Sequence, residues 1–212
     1  MDCCQCKGIE TLFNQKEVEN MLKAYRKDGP AKTTRMLIEA LKAEGIKGMT
    51  LLDIGGGVGA IQHELLRAGV EKATGVEAST AYVNAALQEA KQQGHAEKIT
   101  YQHGNFVDLV PQIEPADIVT LDRVICCYHD MQTLVGLSVA KAGRLYGLVY
   151  PRDTWWTRVK IYLGNLYLRV NRNPFRSFIH PTQAVDALVR GNGFEQRFYR
   201  TSGLWQVVVY AR

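Results

Sequence analysis

An acidic residue, a run of glycines and a second acidic residue, each at the end of an apolar stretch, are the residues of this sequence best spaced to do chemistry. The stretch MTLLDI carries Asp53 and opens into Gly55-Gly56-Gly57-Val58-Gly59-Ala60, while ATGVEA ends on Glu77-Ala78. Glycines tolerate positive φ and let backbone come close to a ligand, and a helix that starts immediately afterwards presents unpaired N–H groups to it. Glu77 closes a second strand, where a carboxylate can accept hydrogen bonds from ribose hydroxyls.

The spacing Gly55-x-Gly57-x-x-Ala60 satisfies a relaxed dinucleotide fingerprint, so a nicotinamide-dependent oxidoreductase is one reading of the loop. Asp53 favours another. A carboxylate at the mouth of the loop repels a pyrophosphate and suits a ligand carrying an ammonium and a sulfonium, which points to S-adenosylmethionine.

Positioning such a loop requires alternating strands and helices. MTLLDI, loop and IQHELLRAG form one strand–loop–helix unit, and the pattern recurs in ATGVEA with STAYVNAALQEAKQQG, in KITYQHGNF, in ADIVTLDRVI and in RLYGLVY. Five strands with helical crossovers imply a mostly parallel sheet covered on both faces. The ending GNGFEQRFYRTSGLWQVVVYAR adds two β-type runs around Thr201-Ser202-Gly203, predicting a terminal antiparallel hairpin. The fold expected is therefore α/β, a Rossmann-like, doubly wound, mostly parallel seven-stranded sheet with an antiparallel C-terminal hairpin strand. Two helices precede it, near Asn14–Arg26 and Ala31–Ala43, split by Gly29-Pro30. The expected organisation is an N-terminal helical cap over 1–48 and a main domain over 49–212 with a helical insertion at about 152–180.

LLDIGGGVGA, GVEAS, HGNF and ADIVTLDRVICCYHD, in that order, resemble the successive cofactor-site motifs of class I S-adenosylmethionine-dependent methyltransferases of the small-molecule type, over about Leu51–Tyr150. The resemblance implies that Asp53 and the backbone of Gly55 and Gly57 hold the methionine part, Glu77 the ribose and Ala78 one face of the adenine, with Asn105 and Phe106 also at the adenine and Gly59 and Asp122 elsewhere in the cofactor site. Relatives commonly carry an acid at the position of Asn105; here an amide oxygen takes over. The segment Asp122–Asp130 is not the Asn-Pro-Pro-Tyr type that marks methylation of nucleic acid bases, which favours a small-molecule acceptor and no nucleic acid. In outline, with an aromatic and basic insertion after the fifth strand, the chain is similar to methyltransferases of magnesium protoporphyrin or quinone precursors.

Methyl transfer is an in-line displacement in which alignment supplies most of the acceleration. A hydroxyl acceptor benefits from a base and a carboxylate acceptor needs none. His129, just beyond the fourth strand, and His180 are the candidate bases, each set against the plainer role of bonding a loop or facing water. His63 reads as structural, and Cys126 and Cys127 as thiols buried at a strand end.

The insertion holds Trp155, Val159, Tyr162, Leu163, Leu166 and Val170 on one helical stripe and Arg158, Asn165, Arg169 and Arg172 on another. Three roles fit it: a helix packing that stripe on the sheet, a lid over a large acidic substrate, or a surface helix at 155–172 resting on anionic membrane. From Pro151 to His180 there are six Arg or Lys and one acidic residue, whereas the rest of the chain balances, so the net charge of +5 is a local feature. An odd count of five cysteines, in Cys3/Cys4/Cys6 and Cys126/Cys127, argues against a disulfide framework and for a reducing, cytoplasmic setting. The first group lacks the paired spacing of a structural zinc site, so no metal is expected and the terminus reads as frayed. A non-catalytic module that keeps the pocket but uses the basic helix to engage membrane or a protein partner is the rival of a different class.

Overall fold

The computed structural model describes residues 4–212, with side chains from Gly8 onward. Its seven strands are β1 (Thr50–Ile54), β2 (Lys72–Glu77), β3 (Ile99–His103), β4 (Ala116–Asp122), β5 (Ala142–Pro151), β6 (Glu195–Ser202) and β7 (Trp205–Ala211). They form one sheet in the order β3-β2-β1-β4-β5-β7-β6. The pairs among β1 to β5 are parallel, and β7 runs antiparallel between β5 and β6. The expected doubly wound sheet with its terminal hairpin is what the chain builds.

Strands buried on both faces need apolar side chains on both, and adjacent residues of β1 enter opposite cores. Leu51 belongs to one core with Ile118, Val149, Val207 and Val209; Leu52 belongs to the other, with Val119, Leu121, Tyr146 and Val208. Helices α4 (Ala60–Arg67) and α3 (Lys32–Ala43) cover the first face, with Leu65, Leu37 and Leu41 wholly buried. Helices α7 (Met131–Ala140) and α9 (Thr182–Gly191) cover the second, through Val135, Val139, Val185 and Val189. Burying a side chain of that size contributes about 1.5–3 kcal/mol, so α3 is held in the same core as the strands. A Cβ at Gly147 would lie 2.8 Å from Leu37 Cδ1, so glycine there is what lets α3 approach β5.

Ahead of α3, α2 (Gln15–Asp28) starts at Asn14, whose side chain accepts from the amides of Lys16 and Glu17, as the sequence leads one to expect. The helix α1 (Cys4–Leu12) corrects the expected frayed terminus. It is held by tertiary contacts: Glu10 accepts from Thr80 N and Oγ1, Ser79 Oγ donates to Phe13 O, and Gly8 lies against the backbone of Phe175, 2.4 Å from its nitrogen to a Cβ built there. Cys3 and the side chains of Cys4 and Cys6 lie outside the described residues. The remaining elements are α5 (Thr80–Gln92), α6 (Phe106–Leu109) and α8 (Trp155–Val170). Among the described residues no helix is long and apolar enough to cross a membrane.

The helix α8 does not pack its stripe on the sheet. Its inner face is Thr157, Ile161, Asn165 and Leu168, and the aromatic stripe points outward.

Candidate active site

The crossovers leave β1 in one direction toward β2 and in the other toward β4, so the carboxyl ends of β1 and β4 diverge into a crevice. A cavity of about 740 Å³ fills it. Its floor is the glycine loop, the end of β2 and the segment after β4; its roof is α1, α2 and the stretch around Phe175 and Ser177. Phe13 anchors the roof, edge-on to Phe175 at 5.8 Å and tilted on Tyr82 at 5.9 Å.

The loop is shaped by two separate demands. Gly55 and Gly57 take φ of 67° and 56°, which side chains disfavour. At Gly56 the demand is space: a Cβ there would lie 2.5 Å from both Asp53 Oδ2 and Gln62 Nε2. The three glycines together thus fold the backbone down over Asp53. At Gly57 an added Cβ would enter the cavity, 3.7 Å from Met21 Sδ and from Tyr82, so bare backbone is what a ligand meets there.

Glu77 fastens the end of β2 to this loop. Its carboxylate accepts from Gly57 N at 3.0 Å and Ser79 N at 2.9 Å while lining the cavity. Burial pushes its pKa up and those amides hold it back. Two amides leave lone pairs free on the carboxylate for hydroxyl donors.

Gly55, Gly57, Glu77, Ala78, Asn105, Phe106 and Asp122 all line the cavity. Asn105 also caps α6 by accepting from Val107 N, and it donates to Asp108 Oδ2. Two other residues are elsewhere. Asp53 is fully buried beneath the loop, where it accepts from Thr120 Oγ1 at 2.7 Å and Gln62 Nε2 at 3.1 Å. Desolvation raises its pKa to about 7. Asp53 therefore does not meet a ligand's cation directly, as its place at the mouth of the loop suggests; its carboxylate supports the loop from below. Gly59, in the left-handed conformation at the start of α4, faces His63 and Gln62 and serves the turn.

Neither candidate histidine borders the cavity. His180 Nε2 lies 2.9 Å from Tyr128 O and 3.1 Å from Ile125 O, tying down the segment after β4. His129 stacks on Tyr128 and tilts against Phe178. His63 is buried against His95, with burial the main cause of a pKa lowered to about 4, and has the structural setting expected of it. Cys126 and Cys127 do border the cavity, and both thiols bond Arg123 O.

What motif reasoning missed is the opposite wall. Arg123 holds a φ of 63°, unusual for a residue with a side chain, and its guanidinium donates to Thr33 Oγ1 at 2.8 Å and sits 5.2 Å from the Trp205 ring centre. Asp122 Oδ2 accepts from Thr34 Oγ1; Asp122 Oδ1 and Arg123 Nε, 3.7 Å apart, are both buried without a hydrogen bond. Burial raises the pKa of Asp122, against the pull of Arg123 and Thr34. The signal in the sequence was a charged pair at a strand end, but nothing there revealed that α3 would supply Thr33 and Thr34.

A glycine loop at a helix start, a carboxylate at the end of the second strand and an amide–phenylalanine pair after the third resemble the fittings of a class I methyltransferase. Residues 51–139 match the methyltransferase domain family. That match and the fold support an S-adenosylmethionine-dependent methyltransferase, and with it the sulfonium reading of the loop over the nicotinamide one. Magnesium protoporphyrin IX methyltransferase from Synechocystis PCC 6803, with SAH bound, superposes with a TM-score of 0.76 at 18% identity, covering 98% of this chain and 99% of that one. An O-methyltransferase family protein from Burkholderia thailandensis gives 0.72 at 16% identity over 96% of this chain and 62% of that one. An O-methyltransferase family 2 protein from Planctomyces limnophilus, in complex with apigenin, gives 0.61 at 15% identity over 87% and 63%. At these identities the likeness is one of fold. No curated protein sequence matches.

When bound, S-adenosylmethionine supplies an electrophilic methyl on a positively charged sulfur. The glycine loop and Glu77 would hold it, and the protein's share would be to keep an acceptor in line with that methyl.

Proposed function

We propose that the enzyme methylates an oxygen of a small hydrophobic acceptor, and that this oxygen belongs to a carboxylate paired with Arg123. The observation that carries this reading is Arg123 itself. A non-glycine residue in the left-handed region costs about 1–3 kcal/mol, and here it is Arg123, whose Nε is buried without a hydrogen bond, at the wall of a cavity that Ile9, Leu12, Phe13, Met21 and Trp205 also line. An acceptor with an apolar body and one anionic group fits both features. A carboxylate is already nucleophilic, in keeping with a cavity that no histidine borders.

A second reading rests on Asp122. Its raised pKa, and an Oδ1 without a hydrogen bond, suit a base that takes the proton of an acceptor hydroxyl. Transfer of a radiolabelled methyl to a panel of hydrophobic carboxylic acids and matched phenols, run with Arg123→Met and Asp122→Asn, separates the two. Carboxylic acids as substrates, with KM raised about tenfold or more by Arg123→Met, support the first reading. Phenols as substrates, with kcat lowered about 10²-fold or more by Asp122→Asn, support the second. If neither class accepts the methyl group, the oxygen-acceptor reading fails.

A further inference from the structure

The most exposed apolar surface of the molecule lies on α8. Trp155, Tyr162 and Val170 expose 62%, 68% and 75% of their surface, and Val159, Leu163 and Leu166 are exposed beside them. At about 100° per residue, these side chains with Trp156 and Tyr167 occupy an outer arc of roughly 140°. It lies opposite the inner face of Thr157, Ile161, Asn165 and Leu168. Arg158 and Arg169 flank one edge of the arc and Lys160 the other. Exposing this much aromatic and aliphatic surface to water on an otherwise well-packed enzyme calls for a partner.

We infer that α8 is a docking helix that lies flat in the interface of an anionic phospholipid bilayer, with its aromatic arc among the acyl chains and its cations at the headgroups. The charge pattern selects this occupant. Asp153 is the only acid from residue 151 to residue 180, and it is already paired with Arg158 at 2.7 Å. Lys160, Arg169 and Arg172 therefore present a cationic fringe to an anionic surface. A second copy of the chain would bring two such fringes together across an isologous contact, setting like charges against each other. Trp and Tyr on the arc suit the headgroup boundary, where an amphipathic ring keeps one side wet. A helix of 16 residues that is too polar to cross a bilayer suits lying on one.

Docking would also orient the cavity. On the inner face, Asn165 Nδ2 donates to Ser177 O and Ser177 N donates to Asn165 Oδ1, both at 2.8 Å. Ser177 and Phe175 belong to the cavity roof. The helix that meets the lipid is thus fastened to the segment that covers the acceptor end, so a molecule dissolved in the bilayer would have a short path into the cavity. Docking itself does not depend on which acceptor is methylated.

The test is co-sedimentation of the full chain with vesicles of phosphatidylcholine alone and of phosphatidylcholine with phosphatidylglycerol. Binding to the anionic vesicles is expected, weaker on the neutral ones. Arg169→Gln with Arg172→Gln should lower the partition coefficient roughly thirtyfold, the equivalent of about 1 kcal/mol for each cation at about tenfold per 1.4 kcal/mol. Tyr162→Ser with Leu166→Ser should lower it roughly tenfold or more. All variants should bind S-adenosylmethionine as the parent does, which establishes that they are folded. Failure to bind anionic vesicles, equal binding to both compositions, or insensitivity to both double substitutions would overturn the inference. So would a dimer in light scattering that Tyr162→Ser with Leu166→Ser dissociates while vesicle binding is absent.

Discussion

Replacing Asp53 by Asn should make the enzyme's stability less dependent on pH, in a direction fixed by the burial of that carboxyl. Asp53 has an ordinary pKa of 3.8 and is raised to about 7 in the folded protein. The proton is therefore held more tightly in the native state, so the group's stabilising contribution is fully present below about pH 4 and is lost as pH rises through 7. Between pH 5 and pH 8 the loss amounts to about 2.5 kcal/mol, from about 1.4 kcal/mol per pH unit over the interval in which only the native state is protonated. Asn adds no volume. Its Oδ1 accepts from Thr120 Oγ1, and a turn of the Gln62 amide brings Oε1, which is buried without a partner, to accept from the new Nδ2. Urea denaturation of the two proteins at pH 5 and pH 8 gives the difference directly, and the other titrating groups, common to both, cancel from it. Relative to the parent, Asp53→Asn should gain about 2.5 kcal/mol on going from pH 5 to pH 8. A constant difference across that range would mean that Asp53 stays ionised under the loop and that the account of its burial is wrong.

Glu77→Gln removes the charge facing the cavity and should weaken S-adenosylmethionine binding about 10–100-fold in calorimetric titration, the value of a hydrogen bond to a charged group. Gly56→Ala and Gly57→Ala should fail in different ways. The first drives a Cβ into Asp53 and Gln62 and should lower Tm by several degrees through overpacking of about 1–3 kcal/mol. The second leaves 3.7 Å of room but strains the backbone at a φ of 56° and points into the cavity, so cofactor affinity should fall along with Tm. His129→Ala should leave kcat within a few-fold of the parent, far from the 10²–10⁴-fold loss of a general base. His180→Ala should instead lower stability by about 1–3 kcal/mol as it releases the segment after β4.

How much of this was legible in the sequence depends on whether the determining interaction is local. Strand and helix order, the switch point and the placement of Glu77, Ala78, Asn105 and Phe106 follow from short motifs, because the path from strand to loop to helix is fixed by neighbours in the chain. Asp53 was singled out as important, but its role was misassigned: spacing cannot say whether a side chain at a strand end points up at a ligand or down under the loop. That is decided by Thr120, on another strand, and by Gln62, on the following helix. The histidines mislead for the same reason, since only the folded chain shows that Ile125 O and Tyr128 O converge on His180.

The helix α8 shows the sharpest form of this limit. Periodicity establishes that its apolar and cationic side chains segregate, yet the same pattern describes a helix packed on a sheet and one laid on a bilayer. What excludes packing of the stripe on the sheet is Thr157, Asn165 and Leu168, inconspicuous residues that take the inward face. Asn165 can do so because both ends of its amide are bonded by Ser177, so an uncharged polar side chain points inward at no cost in unpaired groups. Once the inner face is taken by these residues, the aromatic arc has nowhere to go but outward, and the hydrophobic effect that would ordinarily bury it inside the protein acts on whatever surface meets it.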